Sequence, residues 1–454
     1  MHDRISLKAE QARSLVAAFG SPLYVYDEAI LRQRCRDIKA LCTAPGFSVN
    51  YSAKANSNIE LLKIVKSEGL HVDAMSPGEI LAELAAGFAP DEILFICNNV
   101  SAEEMRFAVE RGIMVSVDSL SQLETFGREM CGRSAPHGDG QKDRRIAFRL
   151  NPGIGAGHNA KVVTGGKSKF GIEQKAIPQV KEIAARYGLT IAGIDQHIGS
   201  LFLRGDEYLA AAQTLFETAA GFPDLEFVDL GGGFGVPYRN HPLADSAETS
   251  PSGSEMVGAK MASGTEPRLD LCALSAKLTE AVGLFTSRRP ARPIRVIVEP
   301  GRYIVAECGI TLGTVHSIKE NYGETYVGTD IGFNVLMRPV LYDSWHDICF
   351  FAGGEGKGGS IAGSYSGGIR TANVRPLTVT GNICESGDIL ARDRELPLPE
   401  PGDIIGVENT GAYGYVMASA YNMRGRPAEV LIGADGAPRL IRKRETWEDL
   451  IGQT

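Results

Sequence analysis

No C-x-x-C pair occurs in this chain, and no cysteine–histidine cluster has the spacing of zinc ligands. A structural zinc site and a thioredoxin-type redox centre are therefore poor readings, and no metal is expected. The eight cysteines, Cys35, Cys42, Cys97, Cys131, Cys272, Cys308, Cys349 and Cys384, are scattered. They are expected to be reduced, and all but Cys384 to be core filler. Also missing is any apolar run near the roughly 20 residues that a membrane-spanning helix needs. The first stretch, "MHDRISLKAEQARSLVAAFG", has mixed charge and no leader-type apolar core. A cytoplasmic chain with no membrane partner is the expectation. A long basic run is absent too, and the net charge is -8, so no nucleic-acid partner is expected.

What is present suits a soluble globular chain. Its 454 residues, 43% of them hydrophobic and 22% charged, are enough for two domains. Strand-like runs recur at 47–53, 71–76, 92–97, 114–119, 145–151, 191–200, 226–233 and 295–301. Helical periodicity fills the gaps. "NIELLKIVKSEG" sets Ile59, Leu61, Leu62, Ile64 and Val65 near one face, and "PGEILAELAAGF" and "SAEEMRFAVERG" carry glycine stops. Strands alternating with helices imply a parallel sheet, and eight such units imply an α/β fold of the TIM-like (β/α)8 type. An open doubly wound sheet is the runner-up.

Beyond about residue 308 the texture changes. "ETYVGTD", "PLTVTGNIC", "GDIIGVENTGAYG" and "AEVLIGADGAPRLIRK" are strand-like runs broken by Gly, Pro and Asp. They predict a C-terminal, mostly antiparallel β domain, with "SPLYVYD" (21–27) a candidate to pair with it. Three stretches read as long loops: 131–143, 239–267 and 352–368.

In a barrel, chemistry collects at the C-terminal ends of the strands. The unusual residues fall there. Lys54 in "VNYSAKANSN" follows the first strand, "QHIGS" with His197 and Ser200 ends the sixth, "DLGGGFG" the seventh, and "EPGR" with Glu299 and Arg302 the eighth. Each alone has a bland reading: a surface lysine, a structural histidine, a glycine turn, an ion pair. Convergence on one mouth favours chemistry. Consecutive glycines and a serine make a phosphate cradle. A carboxylate can keep a heteroaromatic nitrogen protonated, and an imidazole can stack on a flat ring. A lysine can bond covalently to an aldehyde. Phosphate, ring nitrogen, flat ring and aldehyde together describe pyridoxal 5'-phosphate.

From about residue 21 to 435 the chain resembles the fold-type III (alanine-racemase-like) pyridoxal-phosphate decarboxylases, and within them the diaminopimelate decarboxylases. The motifs are "YSAKANSN", "DAMSPGEI", "VDSLSQLE", "RLNPGIGAGHNAKVVTGGKSKFGI", "QHIGS", "DLGGGFG", "EPGRY", "RPVLYDSWH", "CESGD" and "GAYG". The resemblance implies a pyridoxal-binding barrel over 28–308. It implies a β domain formed from 1–27 and 309–454 that completes the active site of the partner subunit in a homodimer. Lys54 would tether the cofactor and His197 would stack on its ring. Ser200, Gly232, Gly233 and Gly301 would contact the phosphate, Glu299 would face the ring nitrogen, and Tyr413 would close over the cofactor. Arg302, Arg338 and Tyr342 would bind carboxylates of a small amino-acid substrate, with Arg302 also near the cofactor. Cys384 would be the proton donor and Glu385 would read the distal amine. The implied reaction is decarboxylation of meso-diaminopimelate to lysine.

Glu299 disfavours a racemase, because racemases of this fold place an arginine there. Lys54 and Cys384 disfavour a non-catalytic relative. Asp195, Tyr303, "NNVSAEE" and the 352–368 insertion depart from the family pattern. They keep a second reading open: a decarboxylase of the same fold for another carboxylated amine, such as a siderophore or antibiotic intermediate, or for ornithine or arginine.

Overall fold

The computed structural model describes residues 4–96, 98–131, 144–157, 160–239, 265–289, 293–352 and 373–452. Apart from edge residues, the loop candidates 131–143, 239–267 and 352–368 lie outside this set, as does Cys97. The chain forms two compact units. One comprises Leu31–Val236 and Leu269–Val305; the other comprises Met1–Ile30, Pro237–Arg268 and Ala306–Thr454.

The first unit is a closed barrel of eight parallel strands. In order they are Phe47–Ser52, His71–Ala74, Ile93–Ile96, Met114–Val117, Arg145–Asn151, Thr190–Gln196, Phe227–Asp229 and Arg295–Val298. The ring closes where Val296 and Val298 lie opposite Phe47 and Val49. A two-residue strand, Ile172–Glu173, adds to the end of the fifth. All eight stretches expected from the sequence form barrel strands, and most end a few residues before the motifs they lead into. The motifs thus sit in the loops at the C-terminal mouth.

Helices start where side chains satisfy the free N–H groups of a first turn. Asn58 accepts from Glu60 N–H ahead of Ile59–Ser67, and Ser76 from Glu79 N–H ahead of Pro77–Ala85. Ser101 and Glu104 form a reciprocal capping box before Ala102–Val109. In Ile59–Ser67 the buried face is Leu61, Leu62, Ile64 and Val65, while Ile59 is exposed at the first turn.

Residues two apart on a strand share a face, and this period orders the barrel interior. Leu94, Ile96, Ala147, Phe227 and Ile297 form an apolar cluster. Two residues further along their strands come Arg149 after Ala147, Asp229 after Phe227 and Glu299 after Ile297. All three are buried. The filling therefore changes from hydrocarbon to charge toward the C-terminal mouth. Gly193 makes room for the apolar layer: a Cβ there would lie 2.0 Å from the Phe227 ring.

The second unit is a nine-stranded, mostly antiparallel sheet. The N-terminal strand Leu23–Asp27 runs in its middle, antiparallel to Gly309–Asn321 and parallel to Ala428–Ile432. Glu324–Thr329 and Val374–Thr380 form the other parallel pair. No helix among the described residues is long and apolar enough to cross a membrane. The described cysteines are free thiols, and Cys35, Cys42 and Cys308 are core residues as expected. Cys272 is exposed instead, because it lies at the start of the helix Leu271–Ser287, whose buried residues are Leu274, Leu278, Val282 and Phe285.

Gly193→Ala should destabilise the protein by about 1–3 kcal/mol, the usual cost of overpacking, as read by urea unfolding. Adding Phe227→Leu should restore part of the loss. Full stability of Gly193→Ala alone would remove this account of the barrel filling.

Candidate active site

Lys54 lies in a short 3-10 turn, Ala53–Ala55, that ends the first barrel strand. It is half-buried between the buried Ala53 and Ala55. Among the described residues its charge acts on Asp73, Glu79, His197 and Glu299. One amine thus sits amid three carboxyls and an imidazole, supplied by different strands and loops.

Glu299 is 4% exposed, and its Oε1 has no hydrogen-bond partner among the described residues. Burial pushes its pKa well above the carboxyl range, Asp229 adds to the rise, and Lys54 opposes it. Asp229 is raised in the same way by burial and by Asp195, and shares a hydrogen bond with Glu299. Two buried carboxyls in contact hold a proton between them. A cation placed opposite Oε1 would draw Glu299 back to its charged form.

The glycine loop packs against both neighbours. Gly232 N–H donates to Nδ1 of His197 at 3.1 Å. Because Nδ1 accepts, the neutral ring carries its hydrogen on Nε2. Burial holds the His197 pKa well below its usual value, with Lys54 and Arg149 contributing. A Cβ on Gly232 would lie 1.9 Å from Glu299 O, and Gly233 has φ +105° with Gly199 O close by. Only glycine fits both places. Phe202 and Gly233 are joined by a 3.0 Å backbone bond, which ties the "QHIGS" and "GGGFG" loops together. Arg302 Nη2 donates to Ser200 Oγ at 2.9 Å. Gly301 packs against Ser52 and Ala55, where a Cβ would meet their side chains at 3.0 Å.

A tethering amine, a buried carboxyl with an unpartnered oxygen, and a glycine–serine–arginine rim fit pyridoxal phosphate. Lys54 suits its aldehyde, Glu299 Oε1 its ring nitrogen, and Ser200, Gly232, Gly233 and Gly301 its phosphate. The barrel unit thus brings together Lys54, His197, Ser200, Gly232, Gly233, Glu299, Gly301 and Arg302. The remaining expected residues belong to the sheet unit.

There, Arg338 opens the helix Arg338–Tyr342 and is 1% exposed, while Tyr342 is half-buried. Tyr413 is half-buried with φ +56°. Cys384 and Glu385 are exposed on a loop closed by Asp388, which accepts from Ile383 N–H and Phe333 N–H at 2.7 Å each. Cys384 N–H donates to Asn422 Oδ1 at 3.0 Å, and Tyr421 O–H donates to Glu385 at 2.5 Å.

Residues 28–306 match the family model for the pyridoxal-binding domain of pyridoxal-dependent decarboxylases. A diaminopimelate decarboxylase of Methanothermobacter thermautotrophicus is 37% identical, over 97% of this chain and 93% of that protein. One from Escherichia coli is 32% identical over 98% of this chain and 96% of its own length. The crystal structure of the Helicobacter pylori diaminopimelate decarboxylase complexed with L-lysine superposes with a TM-score of 0.76. It is 30% identical over 97% of this chain and 98% of that one. The chain belongs to the diaminopimelate decarboxylase family.

Several acids of this family member, buried or half-buried, were given no role by the sequence reading. Asp73 accepts from Ser52 Oγ at 3.0 Å, and Glu79 accepts from Met75 N–H at 2.6 Å. Burial raises both, Glu299 adding at Asp73. Glu83, one helical turn after Glu79, is 0% exposed, and neither carboxyl oxygen has a partner among the described residues. Burial pushes it up to about 9, with Asp73 and Glu79 contributing. Asp195 is pushed up to about 6 by burial, with Arg149 opposing. A lone acid within an apolar strand, as in "HVDA", is the signal that could have found Asp73.

Glu83 sets a pH dependence. The folded chain keeps a proton that the unfolded chain releases above the ordinary 4.5, until pH passes about 9. Its contribution to stability is complete below 4.5 and is lost as pH rises to about 9. Glu83→Gln should flatten the stability profile over that span, gaining on wild type as pH rises. Parallel profiles in urea unfolding would mean that Glu83 is not held neutral.

Proposed function

We propose that this chain decarboxylates meso-2,6-diaminopimelate to L-lysine and CO2, the lysine-forming step. The observation that carries the reading is end-to-end likeness to diaminopimelate decarboxylases, across both the barrel and the sheet unit. Pyridoxal phosphate, when bound, supplies an aldehyde to capture the substrate amine and a ring to take up the electron pair left by departing CO2.

The chain's own residues do the rest. Lys54 provides the tethering amine. Glu299 holds a proton at the ring nitrogen, which favours electron uptake there. His197, neutral and hydrogen-bonded through Nδ1, presents a flat face without adding charge. Ser200, Gly232, Gly233 and Gly301 hold the phosphate, and Tyr413 closes over the site. Arg302, Arg338 and Tyr342 bind carboxylates, for which a guanidinium fork is well shaped. Cys384 delivers a proton to the carbon that lost CO2. Glu385 receives the distal ammonium, steadied by the Tyr421 hydroxyl.

The enzyme works in the cytoplasm as a homodimer with shared sites, the β domain of one subunit serving the barrel of the other. The free thiols among the described residues support the reducing compartment. The exposure of Cys384 and Glu385 supports their use in the partner's site.

CO2 release should be strong and selective for meso-diaminopimelate over its LL isomer, lysine, ornithine and arginine, with lysine as product. Cofactor bound but no CO2 from any of these would move the substrate to another carboxylated amine. Lys54→Ala and Cys384→Ala proteins should each be impaired. Mixed and allowed to exchange subunits, they should regain roughly a quarter of wild-type activity, since half the dimers carry one intact site. No recovery despite proven exchange would place Cys384 in its own subunit's site.

A further inference from the structure

His346 lies in the connection between the helix Arg338–Tyr342 and the strand Ile348–Phe351. The sheet holds this connection in place. Ile348 pairs with Val407, and Glu408 N–H donates to Asp347 O at 3.0 Å. Both ring nitrogens of the buried His346 are engaged. Nδ1 is 2.7 Å from the carbonyl oxygen of Glu408, and Nε2 is 2.9 Å from Nη1 of Arg338. A carbonyl oxygen only accepts, so Nδ1 carries a hydrogen. A guanidinium only donates, so Nε2 carries none. The two contacts together leave one form: the neutral Nδ1–H tautomer.

We infer that His346 is a positioning residue that aims the Arg338 guanidinium at a substrate carboxylate, and that a second proton on its ring undoes that aim. The inference rests on reading Arg338 as a carboxylate-binding residue. Two further restraints on Arg338 come from described residues. Its Nη2 donates to Ser344 Oγ at 3.3 Å, and its guanidinium lies 4.5 Å from the centre of the Tyr238 ring. The Tyr238 ring also meets His346 edge-on at 5.0 Å. Of His346, Ser344 and Tyr238, His346 alone can change from acceptor to donor by gaining a proton.

The charged surroundings favour that role. Arg338 faces Nε2 directly. Glu408 offers its backbone carbonyl to the ring, while its carboxylate pairs with Arg4 at 3.2 Å. Asp347 is 3.9 Å from Arg4 and accepts from the Trp345 indole at 2.8 Å. Arg394 donates to the His346 carbonyl at 3.2 Å. Protonation of Nε2 would set N–H against N–H and cation against cation at 2.9 Å. The guanidinium is the partner that must then turn, because the His346 backbone is held by the sheet.

The test uses the cofactor-loaded enzyme and compares His346→Gln with His346→Asn. A glutamine can place an oxygen where Nε2 stood, accepting from Arg338 without titrating. An asparagine can keep the bond to the Glu408 carbonyl but leaves Arg338 unaided. For wild type, KM for meso-diaminopimelate should climb on acidification, with kcat moving less. His346→Asn should raise KM about tenfold or more at pH 8, the scale of one hydrogen bond to a charged group. Its cofactor absorbance and melting temperature should stay near wild type. His346→Gln should stay closer to wild-type KM and lose the acid rise. Imidazole 15N shifts of histidine-labelled wild type should report the Nδ1–H tautomer without any turnover. Equal KM profiles for the two variants, or an Nε2–H tautomer, would overturn the proposal. Arg338→Gln separates the two layers: unchanged KM there would refute Arg338 as a carboxylate ligand, whatever His346 does.

Discussion

The barrel depends on one constraint: acids buried around a single amine cannot all be ionised. Toward its C-terminal mouth the interior changes from the Phe227 and Ile297 layer to Asp229 and Glu299, with Asp73 and Asp195 close in charge. Water is excluded, so each carboxyl is pushed toward its neutral form, and the charge of Lys54 pulls the other way. Such a site has protons to share and one amine among them. It is poorly suited to stability alone, since hydrocarbon would fill the same space without the desolvation cost.

The glycine loop answers a second demand. Its backbone lies so close to neighbouring backbone that side chains would stand in the way. Gly232 cannot carry a Cβ because Glu299 O occupies the place, and its N–H is committed to His197. The loop therefore fixes the histidine tautomer. In the sheet unit the same logic of donor facing acceptor recurs at Arg338 and His346, and at Tyr421 and Glu385. Each pair spends a neutral polar group on the orientation of a charged one.

Much of this was legible in the chain. Eight strand-like runs with helices between them favoured a closed barrel over an open doubly wound sheet, and the turn chemistry of "DLGGGFG" and "EPGR" marks loops at strand ends. Lys54, His197, Ser200 and Glu299 stand out because polar residues at the ends of buried strands need a reason. Asp73, Glu83 and His346 stayed hidden. Asp73 carries only the signal of a lone acid in an apolar strand, Glu83 looks like an ordinary helical acid, and only packing reveals that Glu83 has no solvent and, among the described residues, no partner. His346 looks like one more residue in a loop until the strand Ile404–Val407 sets Glu408 against it.

By itself the sequence determined the order of βα units, the side of the barrel that carries chemistry, and the inventory of groups that pyridoxal phosphate requires. Those follow from local rules: a period of two along strands, caps at helix starts, and glycine where a Cβ cannot go. Only the tertiary structure decided which acids share protons, which ring nitrogen of each histidine carries hydrogen, and which strands flank Leu23–Asp27. These depend on groups far apart in the chain meeting at hydrogen-bond distance without water, and spacing along a sequence does not encode such meetings.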